Sequence, residues 1–433
     1  MSPSTTTAPP RRTLRVVAVT AVATALIVIV SINVLSGEHK TERDISSLFG
    51  VDDPAFSRAA SVLFGAPLVG GNEVTPLYNG RQIFPAMLKA IRQAQKSITF
   101  ETYIYWSGSV GAAFTQALVE RAHAGVKIHL IIDAVGSAKM DAAQLGEMTK
   151  AGAEVEKYRA VRWYNLDHIN NRTHRKLLVV DGKIGFTGGV GIADKWDGDA
   201  DSPDHWRDTH FRVVGPVVAQ MQATFAEHWL TTRGALLQGD DYFPQLSKAG
   251  ETPAQIVSSA ENDGTESIHL MYLLSIAAAR RSVLLANSYF VPDDLSVRAL
   301  IAAHRRGVDV QIIVPGPQID SEVTRAASRR KWAPLLEAGI SISEFQPTMF
   351  HCKVMVVDDL WVSVGSTNFD NRSFRLNAEA NLNAVDRGLA WQERRAFERD
   401  RLRSRPITLA EWQHRPFLDR SGDWFAGLVG SQL

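Results

Sequence analysis

The sequence predicts an α/β protein of two pseudo-symmetric halves. Each half is read as a mixed, mainly parallel sheet flanked by helices, and one apolar helix precedes them. Three observations predict it. Apolar strand-like runs alternate with helix-like ones, as in layered α/β folds. The order of elements returns about midway along the chain: Gly125-Val-Lys-Ile and Gly307-Val-Asp-Val lie 182 positions apart, the mark of an internal repeat. An uncharged run, Val16–Leu35, stands alone near the N-terminus.

Residues 1–15 form a Ser-, Thr- and Pro-rich tail that ends in Arg11, Arg12 and Arg15. The twenty residues 16–35 carry no charge. As a helix they extend about 30 Å, the thickness of a bilayer core. They are longer than a signal-peptide h-region, and no small-x-small cleavage site follows. The expectation is an uncleaved single-pass anchor, with the arginines favouring an N-terminus in the cytoplasm.

In the first half, residues 50–240, Phe84–Ile91 has helical apolar spacing. Ile98–Trp106 reads as a strand, Ala113–Ala124 as a helix stopped at Gly125, and Val126–Asp133 as a strand. In the second half, residues 250–433, Leu270–Arg280 and Leu295–Arg306 read as helices, with Ser282–Phe290 and Val308–Val314 as strands. The link falls near 236–252, where Gly, Asp and polar residues cluster. Residues 394–405 have amphipathic spacing and are expected at the surface, with a bilayer as one candidate neighbour.

Composition excludes several classes. Of 433 residues, 45% are apolar and 21% charged, so a large core is affordable and dominant disorder is not expected. A formal charge of +1 excludes a strongly basic nucleic-acid packager. The single cysteine, Cys352, excludes an intramolecular disulfide and cysteine-rich zinc modules.

The chemistry lies in a repeated motif. His174-Arg-Lys176 is followed by four apolar residues, Asp181 and then Gly188-Gly189; His351-Cys-Lys353 is followed by four apolar residues, Asp358 and then Gly365-Ser366. In a strand, residues i and i+2 share a face. His and Lys therefore point one way, and Cys352 points the other as a packing residue. Asp181 and Asp358 lie roughly 23 Å along the strand from their histidines at about 3.3 Å per residue. They are motif positions and catalytic candidates by pattern, but the spacing makes them turn residues of hairpins. Folding back about those turns returns Gly189, Ser366 and Asn368 to the histidine end as phosphate-binding candidates.

A His beside a Lys, with glycine amides and neutral side-chain donors, suits a phosphate monoanion. Two copies place two imidazoles across one phosphorus. One attacks, and the other protonates the leaving alkoxide. Lysines carry the developing charge, so neither metal nor cofactor is expected. Each imidazole needs an acceptor on its other nitrogen. Glu379 is the candidate for His351, and Asp208 the candidate for His174.

These paired motifs resemble the phospholipase D superfamily over most of residues 75–415. Asn171-Arg-Thr-His174-Arg-Lys176, Thr187-Gly-Gly-Val-Gly-Ile-Ala-Asp194, Trp206-Arg-Asp208-Thr-His210 and Asn368-Phe-Asp-Asn-Arg372-Ser-Phe374-Arg-Leu-Asn377-Ala-Glu379 are similar to bacterial cardiolipin synthases. The resemblance implies one active site at the interface of the halves, with no dimer needed to build it. It implies His174 as nucleophile, His351 as acid/base, and Asp208 and Glu379 as their partners. It also implies a membrane-bound phosphatidyltransferase acting on phosphatidylglycerol through a phosphohistidine. A hydrolytic phospholipase D is the alternative within the superfamily. Nucleic acid is not expected as a partner. One position departs from the family: Gly191 stands where an asparagine is usual.

Overall fold

The computed structural model describes residues 15–24, 28, 44–46, 49–159, 171–259 and 266–416. Residues 15–24 are helical and exposed, and among the described residues no helix is long and apolar enough to cross a membrane. The expected anchor, 16–35, extends beyond the described residues, as does the basic tail up to residue 14.

The first half supplies β1 (Val69–Tyr78), β2 (Ser97–Thr102), β3 (Lys127–Asp133), β4 (Glu154–Tyr158), β5 (Leu177–Val180), β6 (Ile184–Gly188) and β7 (Thr209–Val214). The second supplies β8 (Thr252–Ser259), β9 (Ser282–Asn287), β10 (Phe290–Val291), β11 (Asp309–Pro315), β12 (Ser341–Phe345), β13 (Lys353–Val357), β14 (Trp361–Gly365), β15 (Phe369–Asp370), β16 (Glu379–Val385) and β17 (Ser404–Ile407). From the centre outward the first half runs β1-β7-β6-β5-β2-β3-β4 and the second β8-β16-β14-β13-β9-β11-β12-β17. The repeat seen in the sequence is therefore a repeat of strand order.

The halves do not form separate sheets, as the sequence reading had it. β1 pairs antiparallel with β8, Val69 opposite Ala254 and Asn72 opposite Thr252, which makes one sheet of fifteen strands. Each half would otherwise end in an unpaired edge. Buried Asn72 secures the junction: its amide donates to Val69 O and Thr252 O, and its oxygen accepts from Val217 N.

Nor is either half mainly parallel. Within the fifteen-stranded sheet only β2-β3-β4 and β9-β11-β12 run parallel, and β10 and β15 form a separate short parallel pair. The strands between them and the junction are antiparallel. The reason is local: the motif strands β5 and β13 turn back at once through tight hairpins, and a two-residue turn joins only antiparallel strands. Asp181 and Gly182 have φ of 53° and 63°, and Asp358 and Asp359 both 54°, the left-handed pair such turns require.

The predicted helices appear as Asn79–Gln93, Ser109–His123, Ser267–Ala278 and Asp294–Arg305. Gly125 and Gly307 follow the second and fourth at φ of 84° and 91°, ending them in the left-handed conformation that glycine allows. A core formed by both halves packs Leu177, Phe211 and Val213 against Val354, Val362 and Leu382. The amphipathic helix proves to be Arg387–Leu402 and does not lie freely at the surface. It buries Leu389, Ala390, Glu393, Ala396, Phe397 and Asp400, with Leu389, Ala390 and Phe397 in the core shared by the halves.

Candidate active site

The two motif segments enter the site immediately before β5 and β13, and the two acids lie at the start of the neighbouring half's strands. His174 N donates to Ala378 O at 2.9 Å, and His351 N donates to Arg207 O at 2.7 Å. These equivalent backbone bonds lay each histidine beside the residue preceding an acid of the other half. The acids accordingly cross over. His174 Nδ1 lies 2.9 and 3.0 Å from the Glu379 oxygens, and His351 Nδ1 lies 2.8 Å from Asp208 Oδ2. The sequence reading named the right acids but assigned each to the histidine of its own half. The physical reason is that the bridging backbone pairs a motif with the opposite half's acid-bearing strand.

All four groups are buried. Glu379 accepts from three donors: the His174 ring, Ser366 Oγ at 2.5 Å and Ser373 Oγ at 2.7 Å. Asp208 accepts from the His351 ring, from Trp196 Nε1 at 2.8 Å and from the Thr209 amide at 2.8 Å. With each Nδ1 held this way, Nε2 is the ring nitrogen left for chemistry; at His351 the Lys353 Nζ stands 3.3 Å from it.

The lysines fold back alike. Lys176 Nζ donates to His174 O at 2.6 Å, and Lys353 Nζ to His351 O at 2.8 Å. Lys353 also donates to Ser288 Oγ at 2.6 Å, which donates to Asn368 Oδ1 at 2.8 Å. Burial pushes Lys176 down to about 7 and also lowers Lys353. Burial and Lys176 hold His174 well below its ordinary value, and burial with Lys353 takes His351 down to about 4. Burial pushes Glu379 up to about 7. Asp208 is also buried, yet its carboxyl falls because His351 and Lys353 stand beside it.

Both histidines line one cavity of about 500 Å³, together with Lys176, Asn368, Arg172, Arg372, Gly191 and aromatic walls from Tyr103, Trp106, Trp196, Trp206 and Tyr289. Tyr103 packs edge-on to His174 at 5.1 Å, and Trp196 edge-on to His351 at 5.2 Å. The cavity thus joins a cationic, phosphate-sized centre to an aromatic wall.

Other predicted positions move out of the first contact layer. The Asp181 carboxylate accepts from the amides of Gln95, Lys96 and Ser97, and that of Asp358 from Arg280, Arg281 and Ser282. They tie the hairpin ends to the starts of β2 and β9, at the opposite ends of β5 and β13 from the histidines. Their candidacy as catalytic groups is corrected. The Gly189 amide donates to Thr209 O at 3.1 Å and is not offered to phosphate. A Cβ on Gly189 would lie 2.2 Å from Asp208 Oδ1, so this glycine makes room for the acid. Ser366 is spent on Glu379. Of the three phosphate-binding candidates, Asn368 alone lines the cavity.

The sequence reading did not single out Ser288, Ser373 or Trp196. Ser373 lies within the quoted Asn368–Glu379 stretch; the other two carry no motif signal. Cys352 is buried facing away, its thiol pushed up by burial, as alternation predicts. Gly191 packs tightly: a Cβ there would lie 2.8 Å from Ile104 Cβ. Among the described residues no cluster of His, Cys, Asp and Glu is arranged to hold a metal ion.

Comparison with known proteins matches this geometry. The family described as "Cardiolipin synthase, PLD-like domain" matches residues 87–229 and 272–401. A cardiolipin synthase A from Pseudomonas putida is 34% identical over 379 residues, 87% of this chain and 78% of its own. Cardiolipin synthase 2 of Staphylococcus epidermidis is 34% identical over 370 residues, 84% of this chain and 75% of its own. Among solved structures, a phosphatidylserine synthase from Haemophilus influenzae superposes with a TM-score of 0.66 at 14% identity, covering 88% of this chain and all of that one. A polyphosphate kinase from Porphyromonas gingivalis shares the fold at a TM-score of 0.53 and 14% identity, over 91% of this chain and 57% of that one. The chain belongs to the phospholipase D-like cardiolipin synthase family, and is an enzyme of its phosphatidyltransferase class.

Proposed function

We infer that the protein makes cardiolipin and glycerol from two phosphatidylglycerols, through a phosphohistidine on His174. The observation that carries this reading is the crossed pair of buried imidazole–carboxylate contacts on one cavity. It leaves two Nε2 atoms for one phosphorus, with a lysine behind each.

In the first step His174 Nε2 attacks the donor phosphorus. A P–N bond forms, the bond to the glycerol headgroup oxygen breaks, and His351 Nε2 delivers a proton to that oxygen. In the second step a hydroxyl of the other phosphatidylglycerol attacks phosphorus and gives its proton to His351. The P–N bond breaks and His174 is restored. Burial and two lysines favour a neutral His174, as a nucleophile needs. The bound phosphodiester brings a negative charge that offsets the lysines and lets His351 carry its proton. Asn368, fixed by Ser288, contributes a neutral donor to the phosphate, and Lys176 and Lys353 stabilise the charge on the phosphoryl oxygens. The uncharged run 16–35 anchors the enzyme in the cell membrane as a single span, its N-terminus inside, with phospholipid as substrate and no second subunit needed to complete the site.

The test is turnover of labelled phosphatidylglycerol as sole substrate by detergent-solubilised protein, with His174→Ala as control. Cardiolipin and free glycerol, absent in the variant, are expected. Phosphatidic acid instead would make water the acceptor and the enzyme a hydrolase.

A further inference from the structure

Behind the two acids, the halves use one arginine each, taken from different positions of the repeat. The backbone bonds of His174 to Ala378 and of His351 to Arg207 make Ala378 and Arg207 equivalent, just as the motifs make Arg175 and Cys352 equivalent. At one interface the equivalent positions hold Arg175 and Ala378; at the other they hold Cys352 and Arg207. Each pair holds one arginine and one small residue, in opposite order.

Both arginines are buried and grip the main chain of an acid. Arg175 Nε donates to Glu379 O at 3.3 Å, and Arg207 donates to Asp208 O at 2.5 Å. Each also reaches the long helix packed behind its sheet. Arg175 donates to Thr224 O at 2.8 Å, on Val218–Arg233. Arg207 pairs with Asp400 at 2.8 Å, on Arg387–Leu402. Arg175 adds a bond to Ser259 O at 2.7 Å on β8, and Arg207 one to Thr209 Oγ1 at 3.0 Å on β7. Neither guanidinium lines the cavity. Cys352 is the small residue that leaves space for Arg207: its Sγ lies 3.6 Å from Thr209 Oγ1 and 3.9 Å from Arg207 O.

We propose that Arg175 and Arg207 are interchangeable-position braces, each fixing the acid that orients one histidine: Arg175 through Glu379 for His174, and Arg207 through Asp208 for His351. They are positioning residues. An acid free to shift by about 1 Å costs about 100-fold in rate, and the two losses fall on different roles. Arg207 serves the proton donor, so its loss matters most where the leaving group is a poor one. Arg175 serves the nucleophile, so its loss affects every leaving group. This division rests on the roles proposed above for His174 and His351.

The experiment compares phosphatidylglycerol with a p-nitrophenyl phosphatidyl ester, whose leaving group needs no protonation. It reads the first-step burst and the melting temperature of full-length Arg175→Ala, Arg207→Ala and the double variant Arg207→Ala/Cys352→Arg. Arg207→Ala is expected to lose about 100-fold on the lipid and far less in the burst. Arg175→Ala is expected to lose similar factors on both. The double variant rebuilds in the second motif the arrangement of the first, and is expected to recover at least about tenfold of the roughly 100-fold that Arg207→Ala loses. Arg207→Lys, which keeps a charge facing Asp400 but not the fork, gives the same leaving-group pattern if Arg207→Ala does not fold. Losses independent of the leaving group in both single variants, or a folded double variant no better than Arg207→Ala, overturn the proposal. If the wild type gives the burst but does not turn over phosphatidylglycerol, the substrate assignment fails; the burst of Arg175→Ala still decides its brace, and Arg207→Ala and the double variant are then read on another phosphatidyl alkyl ester that the wild type cleaves.

Discussion

His174 and Glu379 are 205 residues apart in sequence, yet the imidazole Nδ1 of one lies 2.9 Å from the carboxylate of the other. Asp208 and His351 repeat the contact at 2.8 Å in the opposite sense. Neither half of the chain contains both members of either active-site imidazole–carboxylate pair.

Replacing Glu379 with Gln is therefore expected to disable His174. The amide cannot hold the ring in the tautomer that leaves Nε2 unprotonated, a defect that costs about 10⁴-fold in a serine-protease triad. Single-turnover trapping of the phosphoenzyme checks this. Wild-type labelling in Glu379→Gln, with labelling lost in Asp208→Asn instead, would restore the uncrossed assignment.

Lys176 is pushed down to about 7 by burial, and Glu379 up to about 7. The lysine works charged and the glutamate ionised, so kcat/KM should describe a narrow bell about neutral pH. Glu379 sets the acid limb and Lys176 the basic limb. In Lys176→Arg the basic limb should move well above pH 9, because arginine stays protonated. A wild-type basic limb near 10 contradicts this account.

Asp181 and Asp358 each accept three backbone amides at a hairpin. Asp358→Asn tolerates the left-handed turn but loses acceptor strength. It should lower stability by about 1–3 kcal/mol and leave the kcat of the folded fraction within about twofold, since surviving folded molecules keep the same site. Melting temperature and active-site titration separate the two effects. A large fall in kcat at unchanged stability would return these aspartates to the chemistry.

His269 is fully buried between Glu266 at 3.2 Å and Asp293 at 3.5 Å, and stacks on Phe374 at 4.5 Å. Burial lowers its pKa, but the hydrogen bonds it donates to Asp293 and Glu266 raise it overall. A raised histidine contributes stability below its unfolded value of about 6.5 and loses it as pH rises through the folded value. The partners work in the other direction. Glu266, held down at about 2, and Asp293, also lowered, contribute above about pH 4 and lose that contribution in acid. His269→Gln should therefore cost most stability below about pH 6.5, and progressively less as pH rises through the raised folded value. Melting curves across that range test it; a pH-independent difference rules it out.

At Gly191 an added Cβ meets Ile104 Cβ at 2.8 Å and Trp196 at 3.2 Å. Gly191→Asn alone should destabilise the fold by about 1–3 kcal/mol through overpacking, and Ile104→Ala should relieve it. Equal melting temperatures for Gly191→Asn with and without Ile104→Ala would refute this.

Much of this organisation was legible in the residues. The repeat, the hairpins at Asp181 and Asp358 and the orientation of Cys352 away from the histidine all follow from spacing and alternation, and the two acids from the need of each imidazole for an acceptor together with the family resemblance. The crossing of the acids did not, because sequence distance favours Asp208 for His174 and Glu379 for His351, and only the backbone bonds to Ala378 and Arg207 reverse it. Gly189 and Ser366 were placed at the correct end of their hairpins, but spacing does not reveal that Asp208 crowds one and Glu379 engages the other. Parallel pairing was over-read because strand–helix alternation describes only the outer strands of each half.

The crossed pairs also bear on the chain during its own synthesis. A nascent polypeptide ending near residue 240 holds His174 without Glu379 and Asp208 without His351. Its nucleophile has no oriented ring, and its acid has no ring to orient. Reactivity toward phosphodiesters thus arises only when β16 has joined the sheet and docked beside the first motif. A partly made enzyme is kept inactive by the order in which its strands emerge.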